Sequence, residues 1–537
     1  MNSPSPTPAQ PPLPAQPLSP EKSLSLLRSF RWSYMPPLMV YMAAGISGLT
    51  GIVGTFFVKE YLGLSAEFLA ALGFWAGLPW ALKMPVGHLV DLIWRWKEGL
   101  VFFGAGLLAG SIGIMIGLLA DPAAMRAIMP AEHWFVLATL LGPLGYMVQD
   151  VVADAMTVEA VPRLAADGSQ IGAQELRAMH TTMQTLGRVA IIGGSVLVAL
   201  ANVYFMAGVH TLPAAAKAAA YLHVYQWALV IPLVSVAGVL LGAWLRRRNP
   251  VQYRRGFEPP PVNWWILGGG LAFTLVSLAV GLGGVKLGQE IIFCASLSIV
   301  LFLMWRLVRE LDPSARATLV GTAVVIFVFR AMPGPGAGAS WWMIDRLFFD
   351  QQFFAQLSLV ASMLTLIGLF AFRRFMAERS IYYVVGFLTV IGAVLSLPQI
   401  GMFYGVHEWT AAHTGGVVDA RFIALIDTAL ESPLGQIAMV PMLAWIANSA
   451  PERLKATYFA VMASFTNLAL SAAQLGTKYL NQWFVVSREV RDPVSKAVTV
   501  AADYSQLGDL FIVVTLISLL VPLTAILVVR ARRLPGA

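Results

Sequence analysis

The sequence predicts an all-α polytopic membrane protein: about fourteen transmembrane helices, arranged as two six-helix bundles with an inserted helix pair between them. Three observations carry that prediction. The 537-residue chain is 58% hydrophobic and only 12% charged, with a mean hydropathy of +0.72; soluble chains carry about twice that charge. Apolar runs of about 20 residues, the length that crosses a bilayer as a helix, recur along the chain, and the alternating ten-residue segments of a β-barrel do not appear. Finally, a segment near residue 60 recurs near residue 345, which divides the chain into related halves.

In chain order, residues 1–33 open with "MNSPSPTPAQPPLPAQPLSP". This stretch is Pro-rich, with no apolar core and no small-residue cleavage site, so it reads as a disordered, polyproline-like cytoplasmic tail and not as a signal peptide. Six apolar segments follow within 34–248, at about 36–58, 67–91, 99–120, 134–158, 176–207 and 220–245. Residues 249–316 hold a basic linker and the inserted pair, at about 264–284 and 288–309. Six more lie within 317–531, at about 318–333, 352–372, 380–402, 420–448, 455–483 and 508–530, and 532–537 form a second tail. The first span of this second half is short, with Pro333 and Pro335 at its end. "PGPGAGA" (333–339) therefore reads as a flexible break or an external loop; it has no Lys to cradle a phosphate, which disfavours ATP-driven transport.

Charge sets the orientation. The formal net charge is +8. With a cytoplasmic N-terminus, the inner segments collect about 23 Lys and Arg, the outer loops about 9, and the spans about 4. That bias explains the basic balance without nucleic acid, puts both termini in the cytoplasm and requires an even number of spans. Trp94, Trp96, Trp264 and Trp265 fit an interfacial belt, and His88 reads as a packed interfacial residue. The single cysteine, Cys294, excludes an intramolecular disulfide and a Cys-rich metal site. No metal and no cofactor is expected.

The repeat is specific. "KEYLGLSAEFLAAL" (59–72) aligns with "DRLFFDQQFFAQL" (345–357) at an offset of 285, matching Glu60 with Asp345, Leu62 with Leu347, Phe68 with Phe353 and Leu72 with Leu357. Later, "QELRA" (174–178) resembles "ERLKA" (452–456), each opening a span after a Pro-containing inner loop. Repeated bundles let a central site face each side in turn.

An ionisable side chain in a span costs a few kcal/mol to insert and marks a candidate site. At 1.5 Å per residue, Lys83 lies about 12 Å and Asp150 about 13 Å from the inner surface, Asp154 about 7 Å, and Glu159 at the edge. Asp150 and Asp154 share one helix face, and Lys83 is expected to pair with one of them, Asp150 first. Such a pair either couples protons or locks two helices together. Arg188 and Arg330 fall near mid-membrane in opposite halves and need an acid or an anionic ligand. Asp427 and Glu431, four apart, occupy the outer part of the twelfth span, and Asn467 adds an amide on the thirteenth. The expected substrate contacts are Arg188, Arg330, Asp150, Asp427 and Asn467; the expected proton-coupling or charge-pair residues are Lys83, Asp150, Asp154 and Glu431. At the inner end of the second span, Gly87 is expected to permit close helix contact, and Asp91 to meet the N-terminus of the thirteenth span. With Arg95 and Glu159 these form the expected conformational gate.

Four stretches together resemble the folate–biopterin transporter family of the major facilitator superfamily: "PWALKMPVGHLVD", "QDVVADAMTVEAVP", "FVFRAMPGPGAGASWWMIDRLFF" and "PERLKATYFAVMASFTNLALS". The similarity runs through both halves. "GHLVD" also resembles the loop after the second helix of that superfamily, with Leu92 where a basic residue is usual. The resemblance implies secondary active transport of folates or pterins, often with protons, by a protein of the bacterial inner membrane. The inserted pair departs from that family; a count of fourteen spans resembles the related muropeptide permeases, which share an acid pair on the fourth helix, and light-harvesting assembly factors are a third relative. The expectation is a proton-coupled symporter of a folate- or pterin-like organic anion, monomeric and surrounded by membrane lipid. The alternatives are a muropeptide permease or a non-transporting membrane assembly factor. Nothing in the sequence supports an enzyme.

Overall fold

The computed structural model describes residues 31–161, 171–248, 262–283, 285–309, 313–372, 379–435, 455–491 and 498–532, together with Phe375 and Ile437. A helix lies in each expected span, the twelfth being described only to Glu431 and the 3₁₀ turn that follows it. They are α1 (Trp32–Tyr61), α2 (Ala66–Leu92), α3 (Lys97–Ala120), α4 (Ala131–Ala160), α5 (Ala173–Phe205), α6 (Ala214–Arg248), α7 (Trp264–Leu282) and α8 (Gly288–Val308). In the second half come α9 (Pro313–Arg330, resuming as Ala337–Arg346), α10 (Gln351–Ala371), α11 (Ile381–Phe403), α12 (Ala420–Glu431), α13 (Lys455–Trp483) and α14 (Leu507–Ala531). Eleven helical stretches among the described residues are long and apolar enough to cross a membrane. The all-α membrane fold class is borne out. The end of the bundle carrying the Lys/Arg bias is termed inner, the opposite end outer.

The repeat extends into local geometry. Ser65 caps α2 by accepting from the Phe68 N–H at 3.1 Å, and Asp350 caps α10 by accepting from the Phe353 N–H at 2.8 Å. The offset of 285 relates both the caps and the capped residues. Each such cap stabilises its helix by about 1 kcal/mol. The same offset relates two irregularities. α1 tightens to a 3₁₀ turn over Ile46–Thr50, and 331–335 is where α9 breaks. Pro333 and Pro335 have no N–H to continue the ladder, and Gly336 re-enters helix with φ +77°. "PGPGAGA" is thus a break inside a membrane helix, not an external loop.

Without water to drive apolar surfaces together, membrane helices associate where small residues let backbones meet. A Cβ on Gly104 of α3 would lie 2.7 Å from the Gly145 carbonyl of α4, and one on Gly45 of α1 would lie 2.2 Å from the Ile191 carbonyl of α5. The first bundle packs around these contacts. The two halves meet along α2–α13 and α5–α10. The repeat exchanges these two pairs, because it maps α2 onto α10 and α5 onto α13.

The inserted pair packs as a hairpin and touches both halves. α7 lies on the inner segment of α2, and α8 on α13. His88 Nε2 accepts from the Asn263 N–H at 2.9 Å, and Gln289 donates to the Ala71 carbonyl at 3.0 Å. Glu290 accepts from Lys478 at 2.9 Å and from the Tyr479 hydroxyl at 2.5 Å. The outer loop between α13 and α14 carries a two-stranded antiparallel ribbon, β1 (Val490–Arg491) with β2 (Val498–Val500).

Candidate functional site

The central charged residues meet where α1, α2 and α4 converge. α2 runs as Ala66–Gly77, tightens to a 3₁₀ turn at Leu78–Leu82 around Pro79, and resumes at Lys83. Lys83 therefore begins a helical segment within the membrane and must find acceptors inside the bundle. α4 supplies them. Lys83 Nζ sits 2.6 Å from Asp150 Oδ2 and 2.8 Å from Asp154 Oδ2. Tyr41 of α1 donates to Asp154 Oδ1 at 2.6 Å. One ammonium thus bridges both carboxylates, where the sequence reading favours a single partner. The Lys83 and Asp150 side chains are 19% and 18% exposed, whereas Asp154 is 43% exposed. Of the two acids, Asp154 is the one water reaches.

Arg188 of α5 stands beside this cluster, close enough to act electrostatically on Asp150 and Tyr41. It makes no hydrogen bond or ion pair with the described residues. Arg330, the last residue before the α9 break, donates its Nε–H to the Thr466 carbonyl of α13 at 3.2 Å and has no carboxylate partner among the described residues. Its neighbour on α13, Asn467, is half-buried and likewise unpartnered among the described residues. Among the described residues, each half thus contributes one mid-membrane cation without a counter-ion.

Asp427 and Glu431 of α12 do not join this group. Asp427 Oδ1 is buried without a hydrogen-bond partner, Glu431 is exposed, and neither pairs with a cation among the described residues. The expected inner gate also takes a different form. Glu159 accepts from Lys97 of α3 at 2.8 Å and faces Arg246 of α6 at 3.9 Å; Arg246 also meets Glu98. All four residues belong to the first half, so this network ties α3, α4 and α6 into one body and closes nothing between the halves. A Cβ on Gly87 would meet Val151 at 3.9 Å, an ordinary contact. The expected close approach at Gly87 is therefore absent; the close approaches lie at Gly45 and Gly104. Asp91 is half-buried and Arg95 exposed, each without an ion pair among the described residues. The stretch around Pro451 expected to face Asp91 lies outside the described residues.

Polar contacts between the first and second halves gather at the outer end. Lys59 Nζ of α1 meets Asp345 Oδ1 of α9 at 2.5 Å, and the Tyr504 hydroxyl donates to Asp345 Oδ2 at 2.5 Å. Gln482 donates to Glu67 at 2.7 Å, and Gln351 to the Tyr221 hydroxyl at 2.7 Å. Phe56 meets Phe354 edge-on, with ring centroids 5.8 Å apart. Sequence reasoning missed this closure. The available signal was the repeated segment itself, which places Lys59 and Asp345 at the outer ends of the first helix of each half.

Solved structures share this architecture. A POT family transporter in complex with 5-aminolevulinic acid superposes with a TM-score of 0.61 at 12% identity, covering 93% of this chain and 96% of that one. A peptide transporter POT in complex with sulfate gives 0.59 at 14% identity, covering 96% of each. The chain thus has the fold of these transporters, a polytopic all-helical membrane fold. Residues 289–535 match the BT1 family model. The chain is also 22% identical over 479 residues to the folate–biopterin transporter of Synechocystis sp., covering 87% of this chain and 78% of that protein. The resemblance to folate–biopterin transporters drawn from the sequence is borne out, and the relatives it matches are transporters.

Proposed function

We propose that the chain moves a folate- or pterin-like organic anion by alternating access, coupled to protons. The observation that carries this reading is the charge pattern at the core. Lys83 and Arg188 stand against Asp150 and Asp154, and Arg330 in the opposite half has no carboxylate partner among the described residues. Two cations and two carboxylates cancel. A ligand carboxylate arriving at Arg188 adds a negative charge that this low-dielectric setting tolerates poorly. A proton taken up at Asp154, the accessible acid, restores neutrality, and release of the anion returns the proton. Substrate carboxylates are met by Arg188 or Arg330, ring donors by Asp150, and further polar groups by Asn467. The Lys/Arg bias supports an inner-membrane protein with both termini cytoplasmic.

The test is uptake into proteoliposomes, screened over folates, pterins and anhydro-muropeptides with and without a pH gradient. Folate or pterin uptake accelerated by external acid is expected. Uptake of muropeptides alone would establish the permease reading. A folded protein that transports none of them would point to an assembly factor, a role that calls for paired mid-membrane charges and so sits poorly with Arg188 and Arg330.

A further inference from the structure

The outer closure contains a cation with no counter-ion of its own among the described residues. Arg488, in the loop that follows α13, is only 4% exposed. Its Nη1 donates to the Lys59 carbonyl, and its guanidinium lies over the Trp341 ring at 5.4 Å. Its Nε and Nη2 are buried without acceptors. These two nitrogens form the side-on edge of a guanidinium, the edge that takes a carboxylate through two parallel hydrogen bonds. Leaving that edge bare beneath the surface is costly. Burial lowers the guanidinium pKa, while Tyr504 and Asp345, near enough to act on its charge, oppose that shift. The Asp345 carboxylate meanwhile has both oxygens engaged, by Lys59 and by Tyr504.

Topology supplies the use. Asp345, Tyr504, Trp341 and Arg488 all belong to the second half; Lys59 alone comes from the first. Opening the outer side withdraws α1, and with it Lys59. An acid that loses its partner in a largely buried setting is strongly disfavoured, which would freeze the closed state. We propose that Arg488 is the reserve counter-ion of the outer gate: as Lys59 leaves, the free Nε/Nη2 edge of Arg488 takes Asp345, so the carboxylate is paired in both states. Lys59 then enters water, where its charge is at no disadvantage. The carbonyl bond from Arg488 to Lys59 ensures that the exchange begins as the two halves separate, because the motion that frees Asp345 also frees Arg488. With the acid paired on either side of the transition, the two states stay close in energy, as a cycling carrier requires.

The inference rests on alternating access alone and is tested without substrate. In a Cys294→Ser background, Ala66→Cys places a thiol in the buried cluster that holds Trp341 and Leu347. A membrane-impermeant thiol reagent added outside reports how often that cluster opens. Arg488→Gln is expected to slow labelling about fivefold, since the open state loses its ion pair. In an Asp345→Asn background the same substitution should change labelling by less than about twofold. If the glutamine variant does not fold, Arg488→Lys makes the same comparison. It keeps the charge but loses the bidentate edge, so a drop of about twofold that vanishes with Asp345→Asn is expected. Unchanged labelling in Arg488→Gln overturns the proposal. So does an equal drop in both backgrounds, which would mean that Arg488 serves some group other than Asp345.

Discussion

Lys83 touches both carboxylates of α4, and its removal leaves them facing one another around a hole. Lys83→Met is therefore expected to destabilise the protein by about 3–5 kcal/mol, seen as a lower Tm in detergent. Adding Asp150→Asn and Asp154→Asn removes the stranded charge and should recover most of that loss. Stability and function then separate. The neutral triple variant should fold yet lose the acceleration of uptake by external acid. If it kept that acceleration, Lys83 and the aspartates would be a structural tie and nothing more. Arg188 poses the complementary case. It has no partner among the described residues to strand, so Arg188→Ala should leave Tm within about 1 kcal/mol of the parent while lowering uptake at least about tenfold. Wild-type uptake in that variant would remove Arg188 from the site. The nearness of Lys83 and Asp150 was legible in the sequence because depth follows from residue count along two inward-running helices. Tyr41 was not legible. A lone tyrosine in an apolar helix has no periodic signature, and only the fold shows that it donates to Asp154. Asp427 misled for the same reason: depth is readable in a sequence, but the angle at which a side chain leaves its helix is not.

The first helix of each half changes geometry at the same place, and the two changes differ in kind. α1 keeps its chain direction through a 3₁₀ turn, whereas α9 lets go for six residues and needs help from α13. Thr477 accepts from the Gly334 N–H at 2.9 Å, and Asn481 donates to the Pro335 carbonyl at 3.3 Å. These side chains replace part of the missing helical ladder, which is how irregular backbone survives inside a membrane. Gly336 is the strained point. Its φ of +77° excludes most side chains, and a Cβ there would lie 2.8 Å from Asn481 Nδ2. Gly336→Ala should cost about 1–3 kcal/mol and depress uptake, because the added methyl also displaces Asn481. Gly334 is the control. Nothing lies within 4 Å of a Cβ there, so Gly334→Ala should leave Tm and uptake nearly unchanged. Equal effects at the two glycines would show that the break tolerates any backbone and that Asn481 is incidental. At this scale the sequence was informative about where helices start, since Ser65 and Asp350 are ordinary caps at equivalent positions. It was ambiguous about "PGPGAGA", because Pro and Gly mark an interruption without saying whether the helix resumes beyond it.

At the scale of the whole molecule, the even span count and the inserted hairpin make one argument. On the proposed orientation, with both ends of the chain on the inner side, an insertion between the halves has to contain an even number of helices. α7 and α8 meet that condition, and their charges are matched to the body they lean on. Glu290 answers Lys478, a cation that α13 otherwise carries within the membrane on the face toward the hairpin. Gln289 and the Asn263 backbone add hydrogen bonds to α2, so the hairpin leans on the second half through charge and on the first through weaker polar and apolar contact. Replacing 249–309 by a short polar linker should therefore leave the C-terminus on the inner side, as read by a compartment-sensitive reporter fused there. The same deletion strips Lys478 of its acid and exposes it to lipid, at a cost of up to about 3 kcal/mol. Tm should fall accordingly, and Lys478→Met in the shortened chain should restore part of it while costing stability in the full-length protein, where Glu290 would keep only the Tyr479 hydroxyl. A C-terminus that moved outside would refute the orientation argument. A shortened chain indifferent to Lys478→Met would show that the lysine reaches water unaided, and the hairpin would then be held by packing rather than by charge.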